Sequence, residues 1–171
     1  MSLVYVSIGS NIDRYQHVTA ALDALIDHFG ELKISNVYES EAIGFEGDSF
    51  LNLVVGFETD LAVGELAAVL RLTEDVNGRC RGGPKFGPRT LDIDIITYGD
   101  VSGVVDGVEL PRDEVTKNAF VLLPLMEVAA EEIHPVLNIS YQRLWEAFDK
   151  NSQKLWPVDF EWGGNRISVS L

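Results

Sequence analysis

Asp92 and Asp94 stand two residues apart in the apolar run Leu91-Asp92-Ile93-Asp94-Ile95-Ile96, directly after Gly87-Pro88-Arg89-Thr90. From Leu91 to Tyr98 the residues alternate as in a half-buried strand, Leu91, Ile93 and Ile95 on one face and Asp92, Asp94 and Ile96 on the other. Both carboxylates then point the same way, with Cα atoms roughly 7 Å apart. They are close enough to share a cation, or to bracket two cations about 3.5 to 4 Å apart. Magnesium suits such a pair, because it takes one or two protein carboxylates and fills its remaining positions with water and phosphate oxygens. Just upstream, Arg79, Arg81, Lys85 and Arg89 place four of the 13 Lys and Arg residues in a short stretch interleaved with Gly78, Gly82, Gly83, Pro84, Gly87 and Pro88. A cationic loop beside a carboxylate pair is the pattern of a metal and polyphosphate site. An isolated D-x-D on a strand reads as a solvated face; the adjoining basic loop favours the metal reading.

The elements that must position this site follow from periodicity. Leu3 to Ile8 reads as a strand ending at the turn-forming Gly9-Ser10-Asn11. Val18, Ala21, Leu22, Leu25, Ile26 and Phe29 repeat at helical spacing, with Asp13 and Gln16 expected to cap the start and Gly30 to stop the helix. Leu32 to Tyr38 and Phe50 to Glu58 read as strands, separated by a polar loop over Glu39 to Ser49. Leu66, Val69, Leu70 and Thr73 mark a second helix ending near Gly78, before the basic loop and the Asp-bearing strand. Strand, helix, strand, strand, helix, strand is the order of a ferredoxin-like α+β core, a mainly antiparallel sheet covered by two helices on one face. Beyond it, Asp100 to Leu110 predicts a hairpin broken by glycine, and Phe120 to Ala130 and Tyr141 to Phe148 predict helices. The tail from Leu155, with Trp156, Phe160 and Trp162, is expected to pack back as irregular structure or a short strand.

At 171 residues and 46% hydrophobic the chain can bury one good core, and a single domain over 1–171 is expected. A net charge of −14 opposes general binding to nucleic acid or an anionic membrane. The one cysteine, Cys80, cannot form an internal disulfide, which fits a reducing compartment, and no apolar run approaches the ~20 residues of a membrane span. A cytoplasmic monomer acting on small molecules is the expectation. No G-x-x-x-x-G-K-[ST] loop occurs, so any nucleotide is held by something other than a Walker motif.

The segment G-R-C-R-G-G-P-K-F-G-P-R-T-L-D-I-D-I, Gly78 to Ile95, resembles the signature of the 6-hydroxymethyl-7,8-dihydropterin pyrophosphokinase family of folate biosynthesis. Gly9-Ser10-Asn11, Tyr38 to Gly44, Phe50-Leu51-Asn52 and Phe120-Val121-Leu122-Leu123-Pro124-Leu125 agree with it in order. The resemblance implies Mg-dependent transfer of pyrophosphate from ATP to the hydroxymethyl group of the pterin, releasing AMP. It implies that Asp92 and Asp94 hold two Mg²⁺ ions and that Arg79 and Arg89 are the catalytic cations. It implies a pterin site of Ser40, Ile43, Phe50, Asn52 and Phe120, with the two aromatics sandwiching the ring and Asn52 matching its amide edge. It further implies nucleotide contacts from Glu74, Arg81, Lys85, Phe86, Ile95, Arg112 and Lys117. Taken singly, Phe50 and Phe120 read as core residues and Asn52 as a strand-edge amide; their joint order carries the resemblance.

Four positions depart from the family pattern. Gly82 stands where a basic residue is usual, Glu41 where Pro is usual, Arg112 where His is expected and Asn118 where Arg is expected, with Lys117 beside it. The metal and pterin residues are complete, and the nucleotide site is altered. A non-catalytic or divergent pterin- or nucleotide-binding paralogue on the same fold is therefore the alternative, separated from the enzyme by whether AMP forms.

Overall fold

The computed structural model describes residues 1–40, 49–78 and 90–170. Strand β1 (Ser2–Ser10) leads into helix α1 (Arg14–Phe29), followed by β2 (Lys33–Ile34), β3 (Val37–Ser40), β4 (Phe50–Thr59), α2 (Val63–Val76) and β5 (Asp92–Tyr98). A small hairpin, β6 (Gly103–Val105) and β7 (Val108–Leu110), precedes helices α3 (Glu114–Lys117), α4 (Ala119–Ala129) and α5 (Tyr141–Ala147); β8 (Leu155–Val158), β9 (Phe160–Trp162) and β10 (Asn165–Ser168) complete the order. The main sheet runs β5-β1-β4-β3-β8 with β2 also on β4, and every pairing in it is antiparallel. Strands β5, β1, β4 and β3 reproduce the interleaved order of the expected ferredoxin-like core.

Helices α1 and α2 bury Val18, Leu22, Leu25, Leu66 and Leu70 against Val4, Val6, Ile8, Leu53, Ile93 and Ile95. The opposite face is also covered: Val121, Leu122 and Leu125 of α4 and Tyr141 of α5 pack on Tyr5, Val54 and Ile96. The two helices on one face are as expected, and the cover on the second face is added to them. Strand β4 lies at its centre, which is why Leu51 to Phe57 are buried without the polar alternation of a half-exposed strand. Gly56 leaves room on that second face, since a Cβ there would come within 2.5 Å of the Tyr5 ring.

Three local expectations change. Asp13 adopts φ 44° and makes no side-chain cap; its carbonyl accepts the His17 N–H at 3.0 Å. Gly30 does end α1, at φ 77° with its N–H on the Ile26 carbonyl. The expected strand from Leu32 to Tyr38 breaks into β2 and β3, because Ser35 Oγ accepts the Val54 N–H at 2.9 Å in place of a backbone carbonyl. The tail is more regular than expected. Strand β8 pairs with β3, while β9 and β10 turn at Gly163 and Gly164, both at positive φ. Phe160 stacks on Tyr15 and Trp162 donates to Asp23, fastening the hairpin to α1. Among the described residues no helix is long and apolar enough to cross a membrane.

Candidate functional site

Strand register brings the predicted residues together. Asp92 lies opposite Gly9, Gly9 opposite Asn52, and Asn52 opposite Tyr38, a single row across β5, β1, β4 and β3. Adjacent strands are about 4.8 Å apart, so Asp92 and Asn52 are separated by about 10 Å across the glycine. Asp94 sits one pleat along, opposite Ser7, and Ser40 is opposite Phe50. A bulge between Tyr5 and Val6 leaves Ile96 on the same side as Asp92 and Asp94, in the α4-side core. Phe50, Asn52, Ser40 and both aspartates therefore share the α4 face. Phe120, in the first turn of α4, is half-buried against that face's core.

Each neighbour has a physical task. Asn52 and Ser40 are 7% and 8% exposed, and Asn52 Nδ2 donates to Ser40 Oγ at 2.9 Å, which fixes the amide's orientation. Gly9 keeps the floor between Asn52 and Asp92 low: a Cβ there would lie 3.1 Å from Asn52 Oδ1 and 3.8 Å from the Phe50 ring. Ser10 Oγ donates to the Thr90 carbonyl at 2.5 Å, tying the first turn to the entry of β5. Glu74, buried at the end of α2, accepts the Ile93 N–H at 2.8 Å, between the two aspartates.

The electrostatics centre on Asp94. Burial, then the neighbouring Asp92 charge, push its pKa up to about 7; Glu114 and Glu74 add to the rise and Arg112 opposes it. Arg112 Nη2 lies 3.8 Å from Asp94 Oδ1, and its Nε donates to Glu114 Oε1 at 3.0 Å. The guanidinium is brought here by the chain after β7, where the Arg112 N–H donates to the Ile96 carbonyl at 2.9 Å. Hard carboxylate oxygens held close together against their own repulsion form a donor set matched to Mg²⁺. Among the described residues no three or more His, Cys, Asp or Glu side chains converge with metal-binding geometry. Magnesium takes one or two protein carboxylates and completes its shell with phosphate and water, and two carboxylates are what this face supplies.

Other predicted residues fall differently. Ile95 places its side chain in the α1 and α2 core, on the face away from the aspartates. Lys117 is exposed and ion-paired with Asp113 at 2.9 Å. Arg79, Arg81, Lys85, Phe86, Arg89 and Ile43, with Cys80 and the departures Glu41 and Gly82, lie outside the described residues. Sequence reading overlooked Glu114, which joins Arg112 to Asn118 by accepting from Asn118 Nδ2 at 3.2 Å. Its spacing of four before Asn118 at a helix start was the available signal.

An antiparallel βαββαβ sheet carrying paired carboxylates and a fixed amide on one face defines a ferredoxin-like α+β protein. The chain belongs to the 7,8-dihydro-6-hydroxymethylpterin-pyrophosphokinase (HPPK) family, whose pattern matches residues 5–130. It is 37% identical over 138 residues to the 2-amino-4-hydroxy-6-hydroxymethyldihydropteridine pyrophosphokinase of Aquifex aeolicus, covering 80% of this chain and 86% of that one. It is 34% identical to the folic acid synthesis protein FOL1 of Dictyostelium discoideum over 84% of this chain but 22% of that longer protein. The fold matches the crystal structure of Plasmodium falciparum HPPK-DHPS with TM-score 0.65 at 15% identity, over 85% of this chain and 43% of that chain.

Proposed function

We propose that this chain transfers the pyrophosphoryl group of ATP to the hydroxymethyl oxygen of 6-hydroxymethyl-7,8-dihydropterin. The observation that carries the reading is the shared row and face. Asp92 stands about 10 Å from an oriented amide across two strand spacings, with only a glycine between them, and Asp94 lies one pleat along on the same face. Asp92 and Asp94 would hold two Mg²⁺ ions, which when bound supply charge neutralisation to the phosphate oxygens. Asn52, held by Ser40, presents a fixed donor and acceptor edge to the pterin amide; Phe50 and Phe120 flank it, and the Ile43 backbone is assigned to the same edge by family position. Arg79 and Arg89 are assigned to the transferring phosphates on the same basis, joined by Arg81, Lys85 and Phe86 around the nucleotide.

The chemistry asks little of a side-chain base. The pterin oxygen bonds to the β-phosphorus, the bond from that phosphorus to the α,β-bridging oxygen breaks, AMP leaves, and the hydroxyl proton passes to solvent. Such transfers run through a loose transition state in which positioning and charge stabilisation dominate. Glu74 contributes by holding the Ile93 amide, which sets the pitch of the strand between the two aspartates. The packing of β8 on β3, with Leu155 opposite Ser40, supports treating residues 1–171 as one working unit.

The test is a mixture of protein, MgATP and the pterin alcohol assayed for AMP, with Asp94→Ala alongside. The reading expects AMP from the wild type and none above background from the variant. Equal rates would overturn it, and binding of both substrates without AMP would favour the non-catalytic paralogue.

A further inference from the structure

Two of the positions where this chain departs from the family pattern, Arg112 and Asn118, are joined by one side chain. Glu114 Oε1 accepts Arg112 Nε at 3.0 Å and Glu114 Oε2 accepts Asn118 Nδ2 at 3.2 Å. Asn118 is itself fixed at the α3 to α4 junction: its N–H donates to the Glu114 carbonyl, and its own carbonyl accepts from Val121 and Leu122. The Arg112 backbone is anchored to β5 through the Ile96 carbonyl. A guanidinium held at Nε points its two terminal nitrogens outward as a fork. Here Nη2 of that fork makes a long ion pair with Asp94 Oδ1 at 3.8 Å, beyond hydrogen-bonding distance.

We infer that Glu114 is a positioning residue that keeps the Arg112–Asp94 ion pair long, leaving the carboxylate open to a divalent cation and the guanidinium fork open to a nucleotide phosphate. The inference rests on the proposed MgATP reading of the aspartate pair. Without Glu114, the long arginine side chain is free to shorten its ion pair with Asp94 to hydrogen-bonding distance, the most direct way to neutralise a crowded carboxylate. Arg112 then competes with the cation and is withdrawn from the phosphates. Asn118, anchored at the junction that starts the Phe120 helix, holds the other Glu114 oxygen. The cation is thereby kept in register with the aromatic that flanks the pterin edge.

A double-mutant cycle on the full chain tests this. The Kd for MgATP is measured by calorimetry, alongside the Mg²⁺ concentration for half-maximal AMP formation, in wild type, Glu114→Ala, Arg112→Ala and the double variant. Glu114→Ala is expected to weaken MgATP binding about tenfold and to raise the Mg²⁺ requirement, matching the loss of a charge-assisted hydrogen bond. In the Arg112→Ala background the same change is expected to do nothing further. Glu114→Gln, which keeps an acceptor for Nε, should recover most of the affinity. The Arg112 Nε–H resonance of the ligand-free protein should be protected from exchange in wild type and lose that protection in Glu114→Ala, a readout independent of nucleotide and of activity. An effect of equal size with and without Arg112, or unchanged protection, would overturn the inference while leaving the pyrophosphokinase reading intact. A wild type that neither binds MgATP nor forms AMP would overturn both.

Discussion

Replacing Asp94 with Asn should stabilise the metal-free protein while removing its activity. The Asp94 carboxyl is shifted from 3.8 to about 7, chiefly by burial and next by Asp92. A folded-state pKa above the unfolded value means the native chain holds more protons between roughly pH 4 and pH 7, so stability falls as pH rises through that window and the loss is complete above it. Some three units at about 1.4 kcal/mol each set a ceiling of about 4 kcal/mol. The side chain keeps 30% exposure, and solvent screening reduces the expected effect to about 1–2 kcal/mol. For a chain of this size that corresponds to roughly 3–6 °C in Tm. Thermal unfolding in EDTA at pH 8 should therefore place Asp94→Asn above wild type, with a smaller gap at pH 5. Added Mg²⁺ and ATP should raise the wild type alone. An Asn variant less stable than wild type at pH 8 in EDTA would refute the electrostatic account of the site.

Three further outcomes follow from particular contacts. Gly56→Ala drives a Cβ to 2.5 Å from the Tyr5 ring and should cost about 1–3 kcal/mol of stability in urea titration, with KM values unchanged. Ser40→Ala removes the acceptor of Asn52 Nδ2 and should raise the pterin KM about fivefold to tenfold while leaving the ATP KM alone; equal changes in both would detach Asn52 from the pterin. His134 Nδ1 accepts the Val136 and Leu137 N–H groups, and burial holds its pKa down. NMR titration should find it below 6.5, so this residue's contribution to stability is lost as pH falls from the unfolded value near 6.5 down through the lower folded-state pKa; a pKa above 6.5 would contradict the buried neutral ring.

What could be read from the chain alone was what depends on local period. Val18 to Phe29 announced α1, and the alternation of Leu91 to Ile96 correctly set Asp92 and Asp94 on one face. The break at Ser35 was invisible because it depends on a side chain reaching the Val54 amide of another strand. The cover on the second face was hidden because α4 is apolar nearly all round and carries no stripe to reveal its partner. The row from Asp92 through Gly9 to Asn52 needs the sheet register, which no single segment contains. The register puts Gly9 between an acid and an amide. The spacing of Glu114 and Asn118 is local, but the Arg112 end of the link depends on the chain after β7 turning back onto Ile96.

The central claim is pyrophosphoryl transfer at the face shared by Asp92, Asp94 and Asn52, and a phosphorus label tests it most directly. With ATP labelled at the β-phosphorus, Mg²⁺ and the pterin alcohol, the account predicts unlabelled AMP and an equal amount of β-labelled pterin diphosphate, both abolished by EDTA. Label retained in ADP, or a pterin carrying a single unlabelled phosphate, would contradict it.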